Sequence, residues 1–195
     1  MDDLWYSEYY TEHVRFSIRV TAQLHHEQSD YQEISVYDSA EFGRFLTLDG
    51  IMMQTERDEF IYHEMITHPA LAVNPAVSTV LVIGAGDGGA VRELAKYPGI
   101  ERIDVAEIDE RVVAVCREFL PQTACGFDDP RVRLHIQDGL KFVRRAENAY
   151  DLIVVDSTDP FGPGEVLFTK EFYGSCFRAL TENGILLNQH ESPFY

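Results

Sequence analysis

The chain has 195 residues, 45% of them hydrophobic and 12% aromatic, which is enough for a full core and excludes an intrinsically disordered protein. Its formal net charge of −17 repels phosphate backbones and anionic lipids, so we expect neither nucleic acid nor membrane as a partner. A polycation suits this charge better, although an acidic surface can also serve solubility alone. The three cysteines lack metal-ligand spacing, so we expect no disulfide framework and no metal. An acidic start without an apolar run predicts a cytoplasmic protein.

The distribution of charge divides the chain near residue 70. Residues 1–69 contain no lysine, whereas the second part contains both acids and bases, and Pro69 and Pro75 mark the change. We therefore predict an N-terminal β domain over residues 1–69, with a hairpin and a linking helix, and a second domain over residues 70–195.

The N-terminal part alternates in the manner of half-buried strands. Residues 16, 18 and 20 share one face, as do residues 32, 34 and 36. Asp49-Gly50 suits the two-residue turn of a hairpin. The segment from Thr55 to Asp58 is similar to a capping box, so we expect the linking helix to begin there.

Beyond residue 79, short apolar runs alternate with helical segments. The predicted strands are Val80–Ile83, Ile103–Ala106, Val132–Ile136, Leu152–Val155 and Ile185–Leu187. The predicted helices are Gly89–Tyr97, Glu110–Leu120, Gly139–Arg145 and Lys170–Leu180. This order predicts an α/β fold, a doubly wound, Rossmann-like sheet of the methyltransferase type preceded by a small N-terminal β-strand domain.

The residues directly after the strands carry the candidate chemistry, because open parallel sheets bind ligands beyond the carboxyl ends of their strands. Gly84, Gly86 and Gly89 have the G-x-G-x-x-G spacing between a strand and a helix. Glu107 ends the second strand, where an acid can accept hydrogen bonds from both hydroxyls of a ribose. Together these residues predict a nucleoside site.

Acidic residues also follow the other strands. Asp87 lies in the glycine loop, where its carboxylate would repel a pyrophosphate and favours a cationic or neutral ligand. Asp138, which precedes Gly139, could accept from an adenine amino group, or it could simply cap the next helix. Asp156 and Asp159 lie on one tight turn, and a second carboxylate there has no structural task. The set predicts a site for a positively charged ligand.

Over nearly its whole length the chain resembles the spermidine synthase family of polyamine aminopropyltransferases. The segments that carry the resemblance are Leu4-Trp5-Tyr6, Tyr31-Gln32, Leu48-Asp49-Gly50, Thr55-Glu56-Arg57-Asp58-Glu59-Phe60, Tyr62-His63-Glu64-Met65, Gly86-Asp87-Gly88-Gly89, Glu107-Ile108-Asp109, Asp138-Gly139 and Asp156-Ser157-Thr158-Asp159-Pro160. Two departures are Ala85, where the family usually has glycine, and the variable segment from Gln189 to Pro193.

The resemblance implies aminopropyl transfer from decarboxylated S-adenosylmethionine, a co-substrate, to putrescine, giving spermidine and methylthioadenosine. It also implies a homo-oligomer, at least a dimer. The residues that it assigns to the nucleoside are Gln32, Glu107, Asp138, Gly139 and Pro163. Those that it assigns to the amine side are His63, Asp87 and Asp159, and Asp156 would be the base.

A base is needed because an aliphatic amine, with a pKa near ~10.4, is protonated at neutral pH and cannot attack carbon. Asp156 could accept the proton while Asp87 and Asp159 hold the remaining ammonium charge. A neutral thioether then departs, and no metal is needed.

Family members continue beyond the position of Tyr195, so the resemblance implies a C-terminally shortened form that lacks two strands and part of the amine pocket. We therefore expect this chain to bind methylthioadenosine but to show little or no aminopropyl transfer.

Two other functions remain open at this point. An S-adenosylmethionine-dependent methyltransferase shares the sheet order and the ribose-binding acid, although Asp87 would repel the carboxylate of its cofactor. A non-catalytic polyamine- or nucleoside-binding domain is the other. The sequence does not distinguish putrescine from cadaverine, agmatine or a longer amine.

Overall fold

The computed structural model describes residues 4–158 and 162–189, apart from the side chains of Gly162 and Pro163. The chain forms two compact units that divide between Phe60 and Ile61. This division lies before the change in charge density near residue 70, so residues 61–69 belong to the second unit by their contacts. Among the described helices, none is both long and apolar enough to cross a membrane.

The described part of the first unit is built from antiparallel strands. They are β1 (Leu4–Thr11), β2 (Val14–Val20), β3 (Ala22–Gln28), β4 (Glu33–Ser39), β5 (Gly43–Leu48) and β6 (Ile51–Thr55). Strands β1 and β2 form a two-stranded ribbon, and the other four form a sheet in the order β3-β4-β5-β6. Asp49 and Gly50 have φ angles of 50° and 77°, which confirms the predicted two-residue hairpin between β5 and β6.

An aromatic cluster fills the core of this unit. The ring of Phe45 lies 5.3 Å from the rings of both Tyr6 and Tyr37. Ile18 and Val20 of the ribbon are buried in the same cluster. The hydroxyl of Tyr6 donates to the carbonyl of Gly50 at 2.7 Å, which ties the ribbon to the hairpin turn.

The predicted capping box is wrong. Thr55 is the last residue of β6, where it pairs with Phe45, so its backbone belongs to the sheet. Its hydroxyl donates to the carboxylate of Asp58 at 2.6 Å instead of capping a helix. Helix α1 (Glu59–Met65) begins after this contact, and α2 (His68–Val73) follows it.

The second unit contains a parallel sheet in the order β11-β10-β7-β8-β9, which confirms the predicted fold class. Its described strands are β7 (Thr79–Gly84), β8 (Arg102–Glu107), β9 (Val132–Ile136), β10 (Tyr150–Asp156) and β11 (Leu180–Asn188). The helices are α3 (Gly89–Ala95), α4 (Glu110–Phe119), α5 (Pro121–Ala124), α6 (Gly139–Val143) and α7 (Lys170–Ala179), with 3-10 helices at Cys125–Asp128 and Gly162–Phe168.

Strand β7 lies at the centre of this sheet, between β10 and β8. Val80 pairs with Leu152 on one side and with Ile103 on the other. Ile83 and Phe172 are buried in one core cluster that joins the sheet to α6 and α7. Because the direction in which strands are added reverses at β7, the carboxyl ends of β7 and β10 border the crevice in which doubly wound folds bind ligands.

Candidate active site

The glycine loop after β7 is attached directly to the end of β10. Gly84 pairs with Asp156 in the sheet, and the N–H of Ala85 donates to the carbonyl of Asp156 at 2.8 Å. Ala85 has a φ of 60°, the left-handed region, where an alanine costs about 1 kcal/mol more than a glycine. The departure from the usual glycine therefore strains the backbone of the loop.

The carboxyl group of Asp156 is held by one oxygen only. Its Oδ1 accepts a hydrogen bond of 2.6 Å from the hydroxyl of Tyr62. Its Oδ2 is buried and has no hydrogen-bond partner among the described residues. Burial and the nearby charge of Asp87 raise the pKa of Asp156 to about 6, against the opposite influence of His63 and Tyr62. Such a group can accept a proton near neutral pH.

His63 and Asp87 form a pair beside this acid. The Nε2 atom of His63 lies 3.3 Å from Oδ2 of Asp87, and the imidazole is only 1% exposed. The other oxygen of Asp87 accepts the N–H of Gly89 at 2.7 Å, at the start of α3. A Cβ atom on Gly89 would lie 2.2 Å from the imidazole, so the histidine fits only because this position lacks a side chain. Helix α1 thus contributes two successive side chains to the site. Tyr62 contacts Asp156, and His63 contacts Asp87.

Glu107 ends β8 and is held by backbone. Its Oε1 accepts the N–H of Asp109 at 2.8 Å, and Asp109 in turn caps α4 by accepting the N–H of Arg111. Burial raises the pKa of Glu107 to about 7, and the charges of Asp109 and Asp156 act in the same direction. The carboxyl group is thus fixed in position, next to the glycine loop at Gly86.

Asp138 and Gly139 both have structural tasks. Oδ1 of Asp138 accepts the N–H of Lys141 at 3.1 Å, so this residue caps α6, as one of the two interpretations of the sequence expected. A Cβ atom on Gly139 would lie 2.3 Å from a methyl group of Ile83, so packing alone requires glycine there. A role for either residue in binding adenine remains a prediction.

The other predicted site residues belong to the first unit or fall outside the described residues. Gln32 belongs to the first unit, is 8% exposed, and its backbone N–H donates to the hydroxyl of Ser29 at 3.0 Å. Asp159 and the side chain of Pro163 are outside the described residues. The structure therefore brings together His63, Asp87, Glu107 and Asp156 of the predicted set.

Tyr62 is a functional candidate that reasoning from the residues missed. It reaches Asp156 from 94 positions earlier in the chain. A tyrosine on an amphipathic helix gives no local signal of such a contact, and only the motif Tyr62-His63-Glu64-Met65 of the family resemblance contained it.

A separate cluster has the residue types of a metal centre. Glu64, His68 and Glu93 place ligand atoms within 4.8 Å of one another. Arg92 and Lys96, however, both contact the carboxylate of Glu93. Burial raises the pKa of Glu93, but the hydrogen bonds from these two cations lower it overall. We interpret the cluster as an ion-pair network, because a metal would have to displace a cation to bind there.

Two family models match the chain. Residues 59–195 match the model described as the spermine/spermidine synthase domain, and residues 4–56 match the spermidine synthase tetramerisation domain. The chain is 66% identical, over 193 residues, to the polyamine aminopropyltransferases of Alkaliphilus oremlandii and Clostridium perfringens. The aligned region covers 99% of this chain and 68% of each relative.

Solved structures show the same similarity. A spermidine synthase crystallised with the transition-state analogue AdoDATO is 44% identical, with a TM-score of 0.96 over 98% of this chain and 66% of that chain. The spermidine synthase of Thermotoga maritima is 41% identical, with a TM-score of 0.91 over 98% of this chain and 64% of its own. The chain thus spans about two thirds of the length of these relatives.

Proposed function

Because the chain belongs to the spermine/spermidine synthase family of polyamine aminopropyltransferases, we propose that it transfers the aminopropyl group of decarboxylated S-adenosylmethionine to putrescine. The products are spermidine and methylthioadenosine. The structure of a related spermidine synthase with the transition-state analogue AdoDATO supports this reaction.

The main support for the proposal is Oδ2 of Asp156, which is buried and has no hydrogen-bond partner in the part of the chain that the structure describes. The amine nitrogen attacks the methylene carbon beside the sulfonium, the C–S bond breaks, and its electron pair remains on sulfur as a neutral thioether. Asp156 takes the proton that the nitrogen must lose, and the hydroxyl of Tyr62 keeps the carboxyl group in place. Because the sulfonium loses its charge in the transition state, the acidic walls serve mainly to bind and orient the substrates.

Separate groups of residues are assigned to binding the nucleoside and to binding the amine side. We assign the nucleoside to Gln32, Glu107, Asp138, Gly139 and Pro163. We assign the amine side to His63, Asp87 and Asp159. The pairing of Asp87 with His63 supports this assignment, because it holds a carboxylate ready for an ammonium group.

The same carboxylate argues against a methyltransferase. Complete S-adenosylmethionine carries an amino-acid carboxylate that Asp87 would repel, whereas the decarboxylated form presents only an ammonium group. Both family models that match the chain favour aminopropyl transfer as well.

The decisive test compares Asp156→Asn with the wild type, both in a version of the chain extended at its C-terminus to the length of its relatives. We expect turnover to fall by about 10³-fold, since general-base catalysis contributes about 10² to 10⁴. Methylthioadenosine affinity should remain within about twofold, because the nucleoside contacts remain. Asp30→Asn, at an exposed turn, is the control. A near-normal rate in Asp156→Asn would overturn the assignment of the base.

The same assay decides between an enzyme and a binding domain. If the 195-residue chain binds methylthioadenosine but transfers nothing to putrescine, cadaverine or agmatine, it acts as a binding domain. Mass spectrometry of the products identifies the preferred amine.

We also propose a cytoplasmic homo-oligomer. The match of residues 4–56 to a tetramerisation domain supports it. So do the exposed apolar side chains of the β1–β2 ribbon, which include Trp5 at 55% and Tyr9 at 64% exposure. Sedimentation at micromolar concentration should show at least a dimer, and Trp5→Glu should shift the population toward monomer. A wild-type monomer would contradict this proposal.

A further inference from the structure

We propose that the segment Pro121–Asp128 is a clamp that positions the Asp87 loop, with Gly126 as its contact residue. The clamp comprises α5 and the 3-10 helix that follows it. The inference rests on the proposed function, because it gives Asp87 the task of binding the amine end of the co-substrate.

The clamp closes around Gly88, the residue between Asp87 and Gly89. Gly88 has a φ of 83°, a conformation that favours glycine. A Cβ atom there would lie 2.9 Å from both the carbonyl oxygen of Thr123 and the Cα of Ala124, and 3.0 Å from the ring of Phe127. These distances leave no room for a side chain, so the clamp touches the loop backbone directly.

The approach is reciprocal. A Cβ atom on Gly126 would lie 2.6 Å from the carbonyl oxygen of Gly88 and 2.5 Å from the backbone nitrogen of Arg92. These two atoms form the hydrogen bond that opens α3, at 2.8 Å. Gly126 therefore lies against the hydrogen bond that fixes the first turn of the helix.

The clamp is itself anchored on both sides. On the side of α4, Arg117 bonds Asp128 at 2.7 Å and lies 5.5 Å above the ring of Phe127. On the side of α3, the guanidinium of Arg92 donates to the carbonyl of Gln122 at 3.1 Å. The segment is thus fixed at both ends and can hold Gly88 in place.

The position of Gly88 sets the position of the Asp87 carboxylate. One carboxylate oxygen accepts the N–H of Gly89, and the other faces His63, so a shift of the intervening peptide disturbs both contacts. Glu107 depends instead on the N–H of Asp109. Disturbing the clamp should therefore weaken binding at the amine side and spare the nucleoside side.

The test is Gly126→Ala, with Gly99→Ala as the matched control because a Cβ atom at Gly99 meets nothing within 4 Å. Calorimetry measures the affinities for decarboxylated S-adenosylmethionine and for methylthioadenosine, which lacks the ammonium group. We expect Gly126→Ala to weaken the binding of decarboxylated S-adenosylmethionine by about 10-fold, because one charged contact is displaced. The affinity for methylthioadenosine should fall by less than about twofold. Gly99→Ala should match the wild type.

Two further measurements test whether the clamp holds the Asp87 loop. An NMR titration of His63 reports its contact with Asp87 without ligand, and its midpoint should change in Gly126→Ala. Phe127→Leu keeps an apolar side chain but removes the ring beside Gly88, so it should act in the same direction and replaces Gly126→Ala if that variant does not fold.

The clamp would be overturned if Gly126→Ala weakened the binding of both ligands equally. It would also be overturned if the variant changed neither the ratio of the two affinities nor the midpoint of the His63 titration. If the wild type binds both ligands equally, the role given to Asp87 fails instead, and the His63 titration alone then decides on the clamp.

Discussion

The nucleoside side and the amine side of the site use buried acids in different ways. Burial is the main cause of the raised pKa in both Glu107 and Asp156. Glu107 is held by a backbone N–H only two residues away, whereas Asp156 is held by the side chain of Tyr62 from another element. An acid that binds is fixed by local backbone, and an acid that accepts a proton depends on distant side chains. The amine side should therefore respond more to substitutions elsewhere in the chain.

Glu107→Gln should weaken binding at the nucleoside side alone. The amide cannot accept charge-assisted hydrogen bonds from ribose hydroxyls, which contribute about 1.5–3 kcal/mol, so methylthioadenosine should bind about 10- to 100-fold more weakly. Calorimetry against Glu110→Gln, an exposed position on α4, measures the effect. Unchanged affinity would mean that Glu107 does not touch the ribose.

Asp87→Asn should change the choice between the two forms of the co-substrate. The wild type should prefer decarboxylated S-adenosylmethionine to S-adenosylmethionine by about 10-fold, because Asp87 attracts the ammonium and repels the carboxylate. The variant should lose this preference while methylthioadenosine affinity is retained. Equal affinities of the wild type for the two forms would favour a methyltransferase, and a preference that survives the substitution would show that Asp87 does not set it.

Tyr62→Phe should change the pH dependence of the rate. The rate should rise with pH through about 6, as Asp156 loses its proton and becomes a base. The hydrogen bond from Tyr62 lowers the pKa of Asp156, so its loss should move this rise to higher pH. At pH 6 the variant should be about two- to fivefold slower, with a smaller difference at pH 8. A pH–rate profile that superimposes on the wild type would show that the bond does not set the acidity of the base.

Strands and strand ends were predictable because their signals are local. The buried runs around Val80 and Leu152 have no polar interruption, and the residues that end β7 and β10 follow from them. The helix start at Thr55 was predicted wrongly, because a capping motif cannot show that its first residue already pairs with Phe45 in a sheet.

Contacts between distant residues could not be predicted in this way. The bond from Tyr62 to Asp156 and the approach of Gly126 to Gly88 join residues whose own sequence surroundings carry no signal. Asp138 shows a further limit, since the same residue can cap a helix and bind a ligand, and its spacing fits both.

The position of β10 in the sheet has a consequence for how the protein folds. Strands β7, β8 and β9 pair with neighbours in sequence, but pairing β10 with β7 closes a loop of about 70 residues. The ribosome releases the first three strands before β10, so Glu107 can take its place at the end of β8 early in synthesis. Asp156 joins them only when the long loop closes. The acid that accepts the proton is therefore put in place after the acid assigned to the ribose.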